Sequence, residues 1–377
     1  MNRELLLDIA HTYGTPAYVY DLDQVAAEYR RLSNAFAGMP TDIHYAVKAN
    51  FNPHVLHTLR DSGAGADCVS IPEVEHALAA GFAPEAILYT PSCPSTDDLK
   101  KAVRYGVGLH LGALEYVEWM GRHFPRYPVG LRLNPGLETG GNQKIATAHS
   151  RSKFGIPWAY KDRLFDLLRQ YGLQVRGLHV HMGSDVQSWR DLTAGVDFLT
   201  SVAPLFTDLE YLDFGSGLKV PYRPGERPFD IEAYARYIRE KTAGLPGVRI
   251  KLEPGKFLVA RAGVFLMQVN IVKQTPLQTF AGVNTGFNHM LRPMYYDAYH
   301  HIENLSNPGG TPRTYDIVGH LCEEDTFARN RQIAEIRPGD ILALHNAGAY
   351  GYVMASHYNL HPLPREITVQ GQKIVET

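Results

Sequence analysis

The chain has 377 residues, 45% of them hydrophobic and 20% charged, and its 37 basic and 39 acidic side chains give a formal net charge of -2. This is a soluble globular composition, long enough for about two domains or for one α/β barrel of ~250 residues with a smaller unit beside it. A near-neutral balance with no long basic run excludes the electrostatic footprint of a nucleic-acid or acidic-membrane binder, which leaves a small molecule as the expected partner.

Cys68, Cys93 and Cys322 form an odd, scattered set without a Cys-x-x-Cys pair, supporting neither a disulfide framework nor a zinc ribbon. The N-terminal leucines give way to Asp8 far short of a signal-peptide core. No uninterrupted apolar run approaches the ~18 residues of a membrane span, so the expected compartment is the cytoplasm.

Taken in chain order, residues 16–21 read as a strand, and Val25, Tyr29, Leu32 and Phe36 then share one helical face. As far as residue 255, short β-rich runs alternate with longer amphipathic stretches. The runs are residues 43–47, 64–69, 87–90, 107–111, 129–133, 175–181, 211–214 and 248–252. This is the pattern of a parallel sheet covered by helices; spacing alone leaves open whether it closes as a (β/α)8 barrel or stays an open doubly wound sheet. Helix ends are legible. Ser70 with Pro72 and Glu73 is a capped start, Ser95 with Asp98 a simpler one, and Gly106 and Gly172 stand where C-terminal glycine caps belong. After Gly255 the texture turns to β: residues 264–273, 314–318, 340–345 and 366–375 are strand-like, the last containing Gln370, Gly371 and Gln372 as a hairpin turn. The expected domains are an α/β barrel over residues 23–262 and an all-β domain over 263–377, joined by the N-terminal strand within 1–22.

Reactive groups of a barrel belong just past the C-terminal ends of its strands. The first run ends in Tyr45-Ala46-Val47-Lys48-Ala49-Asn50. A lysine whose surroundings disfavour the ammonium can form a Schiff base with a carbonyl compound, although a strand-end lysine more commonly just reaches solvent. The sixth run continues through His179-Val180-His181-Met182-Gly183-Ser184, where alternating imidazoles can bind a metal or one can stack on an aromatic cofactor, His179 also suiting a plain packing role. The seventh ends in Asp213-Phe214-Gly215-Ser216-Gly217, a turn whose N–H groups can cradle a phosphate. The eighth ends in Glu253-Pro254-Gly255, a carboxylate in a rigid turn suited to a protonated ring nitrogen. Each feature alone is weak; their conjunction meets the requirements of pyridoxal phosphate. A metal hydrolase would want more histidine or acidic ligands at the later strand ends, so no metal site is assigned.

The ordered set resembles the alanine-racemase-type barrel family of pyridoxal phosphate enzymes, and more closely its diaminopimelate decarboxylase branch, from Thr15 to about Glu366. In the barrel half the matching segments are Tyr18 to Asp21, Tyr45 to Asn50, Gly65 to Ser70, Ser152 to Gly155, His179 to Ser184 and Glu253 to Gly255. In the β half they are Gly286 to His289, Arg292 with Pro293 and Tyr296, Gly319 to Glu323, and Ala347 to Tyr350. Lys256 follows the Glu-Pro-Gly turn where many members carry arginine; a short-form subgroup shares this and the run Asn284 to His289. The tail around Tyr358 and Asn359 also lacks an arginine usual in the family.

By this resemblance Lys48 would carry the cofactor, with Asp67 near it, His181 on the ring and Glu253 at the pyridine nitrogen. Ser184, Gly215, Ser216, Gly217 and Tyr350 would meet the phosphate, and Gly255 would also contact the cofactor. Arg292 and Tyr296 would hold the substrate's distal carboxylate, with Lys256 and Tyr350 also in contact with the substrate. Cys322 would take part in decarboxylation and reprotonation, and Glu323 would bind the distal ammonium. The family borrows these last two across a dimer interface, so a homodimer with shared active sites is implied. The implied reaction is decarboxylation of meso-2,6-diaminopimelate to L-lysine. The alternatives are a decarboxylase of carboxynorspermidine, ornithine or a siderophore precursor, a racemase, a cofactor-binding regulator without turnover and, more distantly, a metal-dependent hydrolase.

Overall fold

A computed structural model describes residues 1–136, 149 and 151–375. They fall into two compact units, one made of Tyr29–Lys219 with Pro228–Gly255, the other of Met1–Glu28, Val220–Arg227 and Lys256–Thr377. The short segment Val220–Arg227, inside the expected barrel range, groups with the second unit.

In the first unit the parallel strands Thr41–Ala46, Gly65–Cys68, Ile87–Tyr89, Gly108–Leu111, Pro128–Asn134, Gln174–His179, Tyr211–Asp213 and Arg249–Leu252 pair in chain order. The last pairs back onto the first, Leu252 opposite Ile43, so the ring closes and no edge is left. This is the (β/α)8 barrel rather than the open sheet. Ile156–Pro157 pairs outside the ring, on the fifth strand.

The helix starts follow from local chemistry. Ser95 and Asp98 form a complete reciprocal capping box, and Ser70 accepts the Glu73 N–H at 3.3 Å. The Glu73 carboxylate, however, takes the Val69 N–H at 2.8 Å rather than that of the cap residue. Gly106 and Gly172 end their helices in the left-handed conformation, with φ of 71° and 61°.

The barrel lumen is polar. His110 on the fourth strand reaches Tyr211 on the seventh, Nε2 to hydroxyl at 2.7 Å, and its ring stacks on His179 of the sixth at 5.1 Å. Contacts between strands that are not neighbours can only run through the interior. Glycine makes room for these rings: a Cβ at Gly177 would lie 2.0 Å from the Tyr211 ring, and one at Gly130 would lie 2.1 Å from the His110 ring.

The second unit is built on a mixed sheet in the order Thr326–Ala334, Pro312–Val318, Thr279–Val283, Gly263–Gln274, Ala17–Asp21, Arg365–Gln370, Lys373–Val375, with Ile341–His345 joined to its long central strand and Ile302–Asn304 joined in turn to Ile341–His345. The N-terminal strand does join this sheet, antiparallel to residues 263–266 and parallel to 365–369. The turn Gly371-Gln372 has positive φ at both residues, 56° and 59°, which lets the two-residue hairpin match the strand twist. The N-terminal segment adds a helix to this sheet. Helix Arg3–Tyr13, capped by the Asn2 side chain, lays Leu6, Ile9 and Ala10 over Val19, Leu266, Ala343 and Ile367. Among the described residues no helix is long and apolar enough to cross a membrane.

Candidate active site

Of the residues singled out in the sequence, Lys48, Asp67, His181, Ser184, Gly215, Ser216, Gly217, Glu253 and Gly255 belong to the barrel unit. They cluster at the C-terminal ends of its strands. Lys48 lies in a single helical turn, Val47–Ala49, directly after the first strand. Its Nζ donates to Asp67 Oδ2 at 2.7 Å; the lysine side chain is 38% exposed and the aspartate 1%. Burial, then the charge of Glu253, raises the Asp67 carboxyl above the usual carboxylate range, while Lys48 pulls the other way.

Glu253 follows the eighth strand and is buried, its N–H donating to the Gly215 carbonyl at 2.7 Å. Its Oε2 lies 3.1 Å from His179 Nε2, but Oε1 is buried with no hydrogen-bond partner. Gly255, two residues on, must lack a side chain because a Cβ there would meet the Cβ of Ala49 at 2.9 Å and of Ala46 at 3.1 Å. The Glu-Pro-Gly turn is thereby pressed against the turn that carries Lys48.

The sixth strand ends at His179, so His181 lies beyond it instead of continuing the alternation. Burial, then the charge of Arg132, lowers the His181 pKa to about 3, and the ring is neutral at physiological pH. The Ser216 N–H points at Nδ1 from 3.4 Å, so the ring proton sits on Nε2. Gly215 and Gly217, with φ of 60° and 117°, flank Ser216 in a turn where a side chain at either glycine would be strained. A Cβ at Gly215 would strike His181 Nδ1 at 2.6 Å, and one at Gly217 the Gly183 carbonyl at 2.7 Å. Ser184, half-buried, follows Gly183 in this same pair of loops.

Lys256, Arg292, Tyr296, Cys322, Glu323 and Tyr350 belong to the sheet unit. Lys256 opens the buried helix Lys256–Val259. Arg292 is buried at the start of helix Arg292–Tyr296, its guanidinium 5.3 Å from the Tyr222 ring centre and 5.9 Å from that of Tyr296. Its Nε donates to His300 Nε2 at 3.4 Å, which is possible because His300 Nδ1 meets the His345 carbonyl at 2.8 Å. Cys322 and Glu323 are exposed on the turn between strands Pro312–Val318 and Thr326–Ala334. Tyr350 is half-buried with φ of 55°, in the loop after Ile341–His345.

Sequence reasoning passed over the lumen residues behind Glu253. Asp213 is fully buried, and burial followed by the Glu253 charge raises its carboxyl well above the ordinary value. Arg132 is lowered by burial and stands 4.7 Å over the Phe154 ring. Polar residues inside short β-rich runs were the available signal. His110, His179 and Glu253 have ligand atoms within 4.8 Å of one another, the spacing of a metal site. Both His110 nitrogens are engaged, however, by the Thr90 hydroxyl at 2.9 Å and the Tyr211 hydroxyl at 2.7 Å.

The barrel residues fit pyridoxal phosphate. Its aldehyde needs an amine, its phosphate a glycine turn and its ring nitrogen a carboxylate acceptor. The orphaned Glu253 Oε1 is such an acceptor, already desolvated. A sequence model of the family described as "Pyridoxal-dependent decarboxylase, pyridoxal binding domain" matches residues 22–260. The chain is 36% identical to the diaminopimelate decarboxylase of Methanothermobacter thermautotrophicus, over 98% of this chain and 90% of that one. It is 34% identical to that of Escherichia coli, over 97% and 91%. The diaminopimelate decarboxylase of Helicobacter pylori, solved in complex with L-lysine, superposes with a TM-score of 0.92 at 30% identity, covering 98% of this chain and 95% of that chain. The chain belongs to the diaminopimelate decarboxylase family of pyridoxal-dependent decarboxylases.

Proposed function

We propose that this chain removes one carboxyl group of meso-2,6-diaminopimelate as carbon dioxide and leaves L-lysine, the last step of lysine biosynthesis, acting in the cytoplasm. The observation that carries the reading is the buried Glu253 carboxylate with its unpartnered Oε1, in a barrel whose first strand delivers Lys48. Pyridoxal phosphate, when bound, accepts the electron pair left by the departing carboxyl group. Lys48 holds the cofactor covalently, and Asp67 orients the amine. His181, neutral, offers a flat face to the ring without adding charge. Glu253 keeps a proton on the ring nitrogen, while Ser184, Gly215, Ser216, Gly217 and Tyr350 receive the phosphate.

Arg292 and Tyr296 hold the distal carboxylate of the substrate, with Lys256 and Tyr350 also contributing, and Glu323 holds the distal ammonium. A buried guanidinium fork has no use with an amine-only substrate such as ornithine. Cys322 donates its thiol proton to the carbon that lost its carboxyl group and is reprotonated from solvent. The active assembly is a homodimer in which Cys322 and Glu323 serve the partner subunit.

The test is to measure lysine and carbon dioxide from meso-diaminopimelate with purified protein, with and without added pyridoxal phosphate. Equal, cofactor-dependent release of both is expected. No release from protein that has taken up cofactor would overturn the substrate assignment.

A further inference from the structure

Cys322 and Glu323 stand on an exposed turn, where side chains are loosely held unless something tethers them. This turn is tethered from below by the buried Asp325. One carboxylate oxygen accepts the Leu321 N–H at 3.1 Å, the other accepts the Phe287 N–H at 2.7 Å, and the Asp325 carbonyl accepts the Gly319 N–H at 2.7 Å. Close approach is enforced on both sides: a Cβ at Gly319 would lie 2.0 Å from that carboxylate, and one at Gly286 would lie 2.4 Å from it.

A second tether reaches the reactive side chains themselves. Asn359 Oδ1 accepts the Cys322 N–H at 3.4 Å, and Asn359 Nδ2 donates to Cys322 Sγ at 3.4 Å. Next to it, the Tyr358 hydroxyl donates to Glu323 Oε1, and the Tyr358 ring stacks on Phe287 at 5.8 Å. The backbone that aims these two side chains is strained. Asn359 and Leu360 are consecutive left-handed residues, with φ of 54° and 61°, and Leu360 is 95% exposed, so burial does not offset the conformation.

We propose that Asn359 is a positioning residue for Cys322, and Tyr358 its counterpart for Glu323. The inference rests on the reading above for what Cys322 and Glu323 do. A carboxamide that accepts from the cysteine N–H and donates to its sulfur fixes the side-chain rotamer and turns the S–H proton away from the protein. A phenol donating to one carboxylate oxygen leaves the other for a cation. The hydrogen bond to Glu323 pushes the Tyr358 hydroxyl up to about 12, so it remains a donor throughout the working range.

The experiment uses holoenzyme carrying Cys93→Ser, which leaves Cys322 as the exposed thiol because Cys68 is buried. Steady-state kinetics are read beside the rate of Cys322 alkylation by iodoacetamide, followed by peptide mass spectrometry. Asn359→Gly keeps the left-handed backbone and removes only the carboxamide. It is expected to lower kcat about tenfold with KM within about threefold, and to change the alkylation rate about threefold or more. Tyr358→Phe is expected to raise KM and to change alkylation of Cys322 less than Asn359→Gly does, since the Tyr358 hydroxyl interacts chiefly with Glu323 and less strongly with Cys322. Should Asn359→Gly match its parent in both kcat and alkylation rate, the side chain merely occupies a left-handed position and the proposal falls. Normal turnover by Cys322→Ala, with alkylation still altered in Asn359→Gly, would uphold the clamp and overturn only the role given to Cys322.

Discussion

Lys48, Glu253 and Arg292 each answer to a different measurement. Lys48→Ala is expected to abolish both turnover and the near-visible absorbance of bound cofactor, since its amine is the attachment point proposed here; near-normal turnover would refute that role. Glu253→Gln keeps the shape but removes the charge whose Oε1 is unpartnered, so turnover should fall about 100-fold or more while cofactor still binds. A rate within the parent range would show that another group holds the ring nitrogen. Arg292→Ala removes charge-assisted hydrogen bonds worth roughly 1.5–3 kcal/mol, which corresponds to an increase in KM of about 10- to 100-fold. A change confined to kcat would place Arg292 elsewhere in the reaction. Lys48 and Glu253 were readable as candidates because each stands in a short motif at a strand end, and Arg292 was readable as one from the family resemblance. Asp213 and Arg132 were not, because a polar residue within a β-rich run shows neither which way it points nor what charge faces it.

The elements were legible wherever a local rule suffices. All eight barrel strands were expected within a few residues of their observed bounds, and the capped helix starts followed from hydrogen bonds made within four residues. Ser95→Ala removes a surface cap and should cost about 1 kcal/mol. Gly177→Ala acts on the interior instead. Tyr211 is pinned by His110 at 2.7 Å and by the Lys251 ammonium 4.1 Å over its ring, so it has little freedom to yield to a new Cβ. Such overpacking costs about 1–3 kcal/mol, and cofactor retention should fall with it. Urea titration of both variants checks the ranking; a Gly177→Ala midpoint at or above that of Ser95→Ala would mean the barrel relaxes around the extra carbon. The strands missed, Ile156–Pro157, Thr279–Val283, Ile302–Asn304 and Thr326–Ala334, are short or largely polar, and sheet neighbours rather than their own pattern hold them.

At the level of the whole molecule, burial sets the response to acid. His44, His181 and His300 are lowered from 6.5 to about 3, mainly by desolvation. The unfolded chain therefore binds protons that the folded one does not, and stability is fully present above pH 6.5 and lost as pH falls toward 3. The slope is about 1.4 kcal/mol per pH unit for each histidine, partly offset by Asp67 and Asp213, whose raised values act in the opposite sense. Denaturant midpoints should fall between pH 6.5 and 5; a flat profile would mean these rings take up protons in the folded state. The proposed dimer has its own test. Co-expressed Lys48→Ala and Cys322→Ala chains should recover about a quarter of parental activity, because half of the dimers then carry one intact shared site. No recovery would place both residues in one subunit's site. The alternation of strands and helices and the candidate anchoring residues for the cofactor could be read from the chain because they rest on periodicity and on motifs a few residues long. Barrel closure, the orphaned Glu253 oxygen, the polar lumen, and the clasp of Asn359 on Cys322 across 37 positions could not. Each depends on which distant segments meet and on how much water their meeting excludes, and neither quantity is written in local sequence.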